Sequence, residues 1–96
     1  MEITSKHRKY LRSCAHSIKP HIVIGKNGLN KSSLNAIYKH LIDHELIKIK
    51  VKHGIKKDIE LKIASKLECF IVGSIGKILI VYKMPEDLEN AKINFL

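Results

Sequence analysis

The spacing of apolar residues changes within segment 21–52, and this change constrains the fold more than any other feature of the chain. A short β-branched run opens the segment, and Leu34, Ile37 and Leu41 then recur at the spacing of one helix face. Strict alternation of apolar residues with lysines over 47–52 is typical of a strand. A strand, a helix and a second strand in this order favour parallel pairing of the strands through a right-handed crossover.

The rest of the chain continues this alternation of helices and strands. The predicted order is α-β-α-β-α-β-β, with helices at about 5–16, 31–43 and 59–67 and strands at about 21–24, 46–52, 70–74 and 78–82. The predicted helix N-caps are Thr4, then Asn30 or Ser32, then Asp58, because these side chains accept hydrogen bonds from a first helical turn. We therefore predict a compact α/β domain with a four-stranded mixed sheet packed with helices. It spans residues 1–84, and a short tail occupies 85–96.

Positive charge is concentrated in the first half of the chain. Residues 3–42 carry eight Lys or Arg and no acidic residue, and the formal net charge of the whole chain is +9. Such a field attracts polyanions, either nucleic acid or an anionic membrane surface. No apolar run approaches the roughly 20 residues that span a bilayer. There is no signal-peptide core, and Cys14 and Cys69 are interpreted as reduced thiols, so we expect a cytoplasmic protein.

The four residues Gly25-Lys26-Asn27-Gly28, between the first strand and the second helix, are the strongest candidate binding site. The two glycines let the backbone approach a ligand closely, the helix N-terminus presents unpaired N–H groups, and Lys26 adds a charge. These groups suit the phosphates of a nucleic acid. An isolated Gly-x-x-Gly is also compatible with an ordinary strand-to-helix turn. It is neither a dinucleotide fingerprint nor a Walker A loop, because the residues that define those motifs are missing.

Other basic residues extend this predicted surface. The predicted binding residues are Gly25, Lys26, Asn27, Gly28, the flanking Lys19 and Lys31, and Lys6, Arg8, Lys9 and Arg12 of the first helix. The alternative for the first helix is a solvated face without a ligand. The lysines of the 46–52 strand are open to two interpretations, the solvent side of a half-covered sheet or a sheet edge protected by charge. Only two of the 18 basic residues are Arg, so we predict recognition of backbone and shape rather than a sharp sequence code.

Three stretches together resemble a known family. Residues 11–29, LRSCAHSIKPHIVIGKNGL, resemble the signature of the CRM domain (chloroplast RNA splicing and ribosome maturation). Residues 44–50, HELIKIK, and residues 72–83, from VGSIGK to VYK, fit the same pattern. The chain to about Lys83 is similar to the stand-alone bacterial YhbY proteins, with Lys83 where the family commonly has Arg.

The resemblance has several implications. It implies a sheet like that of the C-terminal domain of translation initiation factor three. It also implies an RNA-binding module associated with precursors of the large ribosomal subunit. We therefore expect a monomeric protein that is not an enzyme, needs no cofactor and binds ribosomal RNA or large-subunit precursors to assist ribosome assembly. The Gly-x-x-Gly loop would clamp backbone phosphates, as the loop of the same pattern does in KH domains.

Three alternatives to this function stay open at this point. The first is a general nucleic-acid-binding protein that contacts DNA or structured RNA through the same positive charge. The second is a small ribonuclease, which would use histidines with a lysine, or Asp43 with Glu45, as acid and base. The third is protein docking through the apolar residues of the tail, Leu88, Ile93, Phe95 and Leu96. We predict no metal site, because neither His40 with His44 nor the Cys14, His16 and His21 group has a zinc-site spacing.

Overall fold

The computed structural model describes residues 3–86 of the 96-residue chain. Three helices and four strands follow one another as α1 (Ser5–Ala15), β1 (Ile22–Ile24), α2 (Lys31–His44), β2 (Leu46–Val51), α3 (Lys56–Leu67), β3 (Phe70–Ile75) and β4 (Ile78–Tyr82). The predicted α-β-α-β-α-β-β order is confirmed, and only the start of α3 differs from its predicted position by more than two residues. Residues 87–96, with the proposed docking segment of the tail, lie outside the described residues.

The four strands form one mixed sheet in the order β1-β2-β4-β3. β1 pairs with β2 in parallel, with Val23 opposite Lys50, whereas β4 is antiparallel to both of its neighbours. Because β4 lies between β2 and β3, the connection through α3 crosses one strand before the chain returns to the sheet. The four-stranded mixed sheet predicted from the sequence is confirmed.

Helices cover both faces of the sheet, and each face has its own apolar cluster. α2 and α3 pack on one face, where the buried residues are Ile24, Ile37, Leu41, Ile47, Ile49, Val51, Ile59, Ile63, Cys69, Leu79 and Val81. α1 packs on the opposite face, where the buried residues are Ile3, Leu11, Ala15, Leu46, Val72, Ile80 and Tyr82. Each fully buried Leu or Ile side chain contributes about 2 kcal/mol of transfer free energy. Cys14 and Cys69 are free thiols in different clusters, so the sheet separates them.

β2 is an interior strand, because it pairs with β1 on one side and with β4 on the other. The interpretation of its lysines as protection of a sheet edge is therefore wrong. Ile47 and Ile49 face α2 and α3, so the alternate residues Lys48 and Lys50 point to the α1 face, where they are half-buried.

The predicted cap of α2 is confirmed at Asn30, whereas the predicted cap of α3 is wrong. The Asn30 side chain accepts the Ser33 backbone N–H at 2.9 Å, and the Ser33 hydroxyl accepts the Asn30 N–H at 2.7 Å. α3 instead begins at Lys56 after the extended residue Ile55, which leaves Asp58 in the first turn rather than at the cap. The spacing of the buried isoleucines determines which side of a helix faces the core, but not the residue at which the helix begins.

Two arginines of α1 fasten this helix to an irregularity in β3. The β3–β4 register shifts between Ile71 and Gly73, which leaves Val72 as the extra residue of a bulge. Arg8 donates from Nη1 to the Ile71 carbonyl at 2.6 Å, and Arg12 donates from Nη1 to the Val72 carbonyl at 3.0 Å. A Cβ at Gly73 would lie 3.0 Å from Arg12 Cδ and 3.2 Å from Ile80 Cδ1, so the glycine makes room for the arginine stem.

We predict that Arg12→Met lowers the free energy of unfolding by about 1 kcal/mol or more, because the Val72 carbonyl loses its donor while the aliphatic stem is kept. Lys9→Met is the matched control, since it removes the same charge from an exposed position of the same helix and should change stability by no more than about 0.5 kcal/mol. Urea unfolding followed by circular dichroism measures both values. Equal losses in the two variants would contradict this role of Arg12.

Candidate nucleic-acid interface

Three connections meet at one end of the sheet, which we call the loop end. They are the glycine loop (residues 25–28), the connection 52–55 after β2, and the hairpin turn 76–77 between β3 and β4. The Lys52 N–H donates to the Ile24 carbonyl at 2.9 Å, and the Val51 N–H donates to the Lys77 carbonyl at 2.7 Å. The Lys56 ammonium also bonds to the Gly76 carbonyl, which joins the start of α3 to the hairpin. Hydrogen bonds therefore join the strand end before the glycine loop to the neighbouring connection, and that connection to the hairpin turn.

The two glycines of the loop have different structural requirements. The Gly28 N–H donates to the Gly25 carbonyl at 3.0 Å. Gly28 has a φ of 65°, a backbone conformation that residues other than glycine rarely adopt. Gly25 has no positive φ, and a Cβ placed on it would meet no protein atom within 4 Å. The backbone therefore favours glycine at position 28 but not at position 25, where the free space lies outside the protein and is open to a ligand.

The N-terminus of α2 directs its first turn towards this loop. The first turn contains no acidic residue, and Lys31 is its first helical residue. A groove of about 380 Å³ runs along β1 and the start of α2, and the loop forms one end of it. Its α2 wall consists of Ser32, Ser33 and Ala36, whose small side chains let a ligand approach the helix backbone. An anion in this groove would face both the loop N–H groups and the positive end of the helix dipole.

The structure brings together some of the predicted binding residues but not all of them. Lys26 and Lys31 are exposed at the loop end, whereas Lys19 precedes the other end of β1. Lys6 and Lys9 are exposed on α1. The two arginines of that helix already bond to carbonyls of β3, so the structure assigns them a role in holding the fold. Whether any of these side chains contacts a ligand stays a prediction.

Sequence reasoning missed the cations that the other two connections bring to the loop end. Lys52 was considered only with its strand, and Lys56 and Lys77 were not considered. Their positions follow from the strand directions, since the end of β1, the end of β2 and the start of β4 meet at one edge. The available signal was two lysines beside strand termini, Lys52 and Lys77, and one at the start of a helix, Lys56, but using it would have required the strand order.

The acidic residues are unevenly distributed over the described chain. Within residues 3–86, the acidic residues lie in α2 and α3, at the residues that follow these helices, and after β4, namely Asp43, Glu45, Asp58, Glu60, Glu68 and Glu86. α1 itself carries Lys6, Arg8, Lys9 and Arg12 and no carboxylate. No helix within residues 3–86 combines the length and the apolar character that crossing a bilayer requires.

Three histidines form a cluster at the end of β1 opposite the loop end. The ring of His21 lies 4.7 Å from that of His44 and 5.5 Å from that of His40, measured between centroids. Burial first, and then the neighbouring His44 and His40, lower the pKa of His21 below its ordinary value of 6.5. No group of three His, Cys, Asp or Glu side chains within residues 3–86 has the geometry of a metal site.

The carboxylate pair considered for a ribonuclease is not presented to a substrate. Glu45 is only 3% exposed, whereas Asp43 is exposed. Burial, and then the charge of Glu45, raise the pKa of the buried Tyr82 to about 12. The Lys83 N–H donates to the Glu45 carbonyl at 2.9 Å, so Glu45 belongs to the junction between α2, β2 and the end of β4. The two carboxylates therefore differ in burial, and the buried one lies at this junction rather than on the surface.

Comparison with known proteins gives consistent results. The chain matches the CRS1 / YhbY (CRM) domain over residues 3–83. A Pseudomonas aeruginosa protein named as a probable RNA-binding protein is 32% identical over 94 residues, which cover 94% of this chain and 90% of that protein. A Bacillus subtilis protein with the same kind of name is also 32% identical over 94 residues, which cover 95% of this chain and 96% of that protein. The solution structure of a hypothetical Staphylococcus aureus protein, described as a candidate RNA-binding protein, has a TM-score of 0.71 and 34% identity, with coverage of 97% of this chain and 98% of that chain.

We predict that acidification below about pH 6.5 destabilises the fold through His21. Because the folded-state pKa is lowered, the unfolded chain binds the proton more readily. This contribution to stability is complete above the ordinary pKa and is lost as the pH falls through the folded value. The measurement is the urea midpoint at about pH 7.5 and about pH 5.5, on either side of that ordinary value. His21→Gln should reduce the difference between the two midpoints, whereas the control His53→Gln, in the exposed connection 52–55, should not.

We also predict that the two loop glycines differ when they are replaced by alanine. Gly25→Ala should leave the free energy of unfolding unchanged or raise it by up to about 1 kcal/mol, because its backbone is compatible with alanine. Gly28→Ala should lower it by about 1–2 kcal/mol, because alanine is strained at positive φ. Any loss of ligand affinity in Gly25→Ala then reports on ligand approach rather than on folding. A destabilised Gly25→Ala protein would contradict this assignment.

Proposed function

The chain belongs to the CRS1 / YhbY (CRM) domain family, and from this premise we propose that it binds RNA through the loop end of its sheet. This membership confirms the resemblance identified from the sequence. The RNA that we propose is ribosomal, either ribosomal RNA itself or a precursor of the large ribosomal subunit, with the protein assisting its assembly. That finer statement rests on what the family resemblance implies.

The main support for the proposal is the open space at Gly25, in a loop that backbone hydrogen bonds otherwise hold in place. Neither the φ of Gly25 nor a neighbouring protein atom requires glycine there. A polynucleotide backbone passing close to the loop would require it, since a side chain would hold the phosphates away from the backbone N–H groups. The same loop precedes a helix N-terminus and carries Lys26, so close approach and positive charge coincide.

The proposed mechanism divides binding between short-range and long-range contributions. The loop N–H groups and the first turn of α2 hold one or two phosphates in a fixed position. The lysines of the loop end and of α1 supply attraction and release counterions, which makes the affinity strongly dependent on salt. Lysine acts as a point charge and does not read base edges bidentately, so we propose recognition that depends mainly on RNA backbone and shape.

We further propose that the protein is cytoplasmic and monomeric, and that it binds RNA without catalysing a reaction. The proteins compared above bear names that refer to RNA binding rather than to catalysis. Measured cleavage of a labelled structured RNA, if lost in a His44→Ala variant, would overturn the non-enzymatic assignment.

A general nucleic-acid-binding protein is the alternative function, because the net charge of +9 attracts DNA as well as RNA. Competition distinguishes the two. At about 0.15 M salt, where screening weakens purely electrostatic binding, a structured RNA should displace the labelled complex at a lower concentration than duplex DNA of equal length. Equal competition would favour the alternative.

We predict that the tagged protein sediments with the large ribosomal subunit or its precursors in a sucrose gradient of cell extract. The variant Lys26→Glu with Asn27→Asp should stay at the top of the gradient, because it places negative charge where phosphates are proposed to bind. The matched control is Lys39→Glu with Asn35→Asp, which makes the same chemical changes on the exposed side of α2. Wild-type protein at the top of the gradient at low salt would contradict the ribosomal proposal, and equal loss in both variants would contradict the loop assignment.

A further inference from the structure

We propose that a cavity on the α3 side of the glycine loop binds an unpaired guanine base of the RNA. The proposal deepens the RNA-binding function described above and rests on it. The cavity has a volume of about 170 Å³ and lies between the loop, the connection 52–55 and the first turns of α3. All three segments contribute to its lining, which includes Gly28, Leu29, His53, Ile55, Asp58 and Lys62.

The position of the cavity relative to the groove fits a nucleotide that spans the loop. Gly25, Lys26 and Gly28 line both spaces, so the glycine loop is the wall between the groove along β1 and this cavity. A phosphate held by the loop N–H groups would lie above that wall. The base of the same nucleotide, or of its neighbour, can then turn towards the cavity, as bases of single-stranded RNA do when they are unstacked and bound individually.

The apolar part of the cavity suits the face of a planar ring. Leu29 and the buried Ile59 form its floor, and Ile55 stands beside it with 67% of its surface exposed. A base that packs on Ile55 would remove apolar surface from water on both partners.

The polar part of the cavity determines which base fits. Asp58 is the carboxylate that lines the cavity, and Lys26, His53 and Lys62 line it as well. Asp58 lies in the first turn of α3, where a carboxylate is favourable in itself. Because a carboxylate repels phosphate and accepts hydrogen bonds, a ligand group with donors would be favoured beside it over a phosphate. Guanine is the base whose Watson–Crick edge carries two adjacent donors, N1–H and the N2 amino group, which match the two oxygens of a carboxylate. Cytosine and adenine each place a ring acceptor beside their amino group, which a carboxylate disfavours.

The cations at the rim fit the remaining atoms of the nucleotide. Lys62 lies one turn after Asp58 on α3, so the two side chains project from the same side of the helix. Lys26 lies on the loop side of the cavity. A guanosine nucleotide would therefore meet a carboxylate at its base edge and ammonium groups near its phosphates and O6 acceptor.

The test is fluorescence anisotropy of the purified chain with labelled uridine octamers at low salt. One octamer contains a single central guanosine, a second contains inosine in its place, and a third contains uridine only. Inosine keeps N1–H but lacks the N2 amino group. We expect the guanosine octamer to bind more tightly than the inosine octamer by about fivefold or more, the lower range for one bidentate contact.

Two matched pairs of variants locate this preference in the cavity. Asp58→Asn should abolish the preference for guanosine, whereas Glu60→Gln, the same charge change two residues further along α3, should keep it. Both variants should bind all octamers slightly more tightly, since each removes a negative charge. Ile55→Ala should weaken binding of the guanosine octamer, and the equally exposed Leu61→Ala should not. Circular dichroism verifies folding, and the exposed Ile55 keeps the test valid if Asp58→Asn is unstable.

The outcomes separate this inference from the proposed function. Equal affinity of the wild-type chain for all three octamers, with clear binding, would overturn the guanine cavity and leave RNA binding intact. A guanosine preference that persists in Asp58→Asn would also overturn the cavity. Absence of binding to every octamer and to structured RNA would overturn both proposals.

Discussion

The parallel pairing of β1 with β2 is the constraint on which the rest of the structure depends. Because α2 connects these strands by a crossover, the glycine loop after β1 and the connection after β2 lie at the same edge of the sheet. The antiparallel β4 then begins at that edge and brings the hairpin turn with it. A strand of only three residues is therefore enough to position the glycine loop, because backbone hydrogen bonds to β2 and to the connection after it hold β1 in place.

Arginine and lysine have different roles in this chain. Both arginines bond from α1 to the bulge of β3, where a planar donor can reach a carbonyl at the end of a long stem. Lys83 has a comparable structural role, since its ammonium donates to the Leu67 carbonyl at 3.0 Å and to the Glu68 carbonyl at 3.3 Å. It thereby caps the C-terminal end of α3, where positive charge is favourable. Most of the remaining lysines are exposed, which fits long-range attraction better than base reading.

The sequence was sufficient to predict the elements and the class of fold, because apolar spacing reports directly on which residues face a core. The cap at Asn30 followed from local hydrogen bonding, and the loop at Gly25 followed from its composition. The strand order did not follow, because the position of β4 between β2 and β3 depends on contacts between distant residues. For the same reason the interior position of Lys48 and the structural bonds of Arg12 were missed.

The cavity beside α3 was missed for a further reason. The sequence predicts that Asp58 caps a helix, and this local role accounts for a carboxylate at that position without reference to a ligand. In the structure α3 begins at Lys56, and Asp58 lies in its first turn, where it also lines the cavity. Its neighbours in the cavity come from three separate segments of the chain, and no sequence pattern marks them as a group.

The bonds between α1 and the bulge of β3 also bear on strand pairing at the outer side of the sheet. β3 is an outer strand of the sheet, and outer strands offer free backbone groups that can pair with a strand of another molecule. In β3 the carbonyls of Ile71 and Val72 are already occupied by guanidinium groups, and the bulge interrupts the regular spacing that a new strand would need. Both features disfavour pairing of β3 with a further strand, and removing one arginine would free a carbonyl of an outer strand at the same time as it loosened the helix.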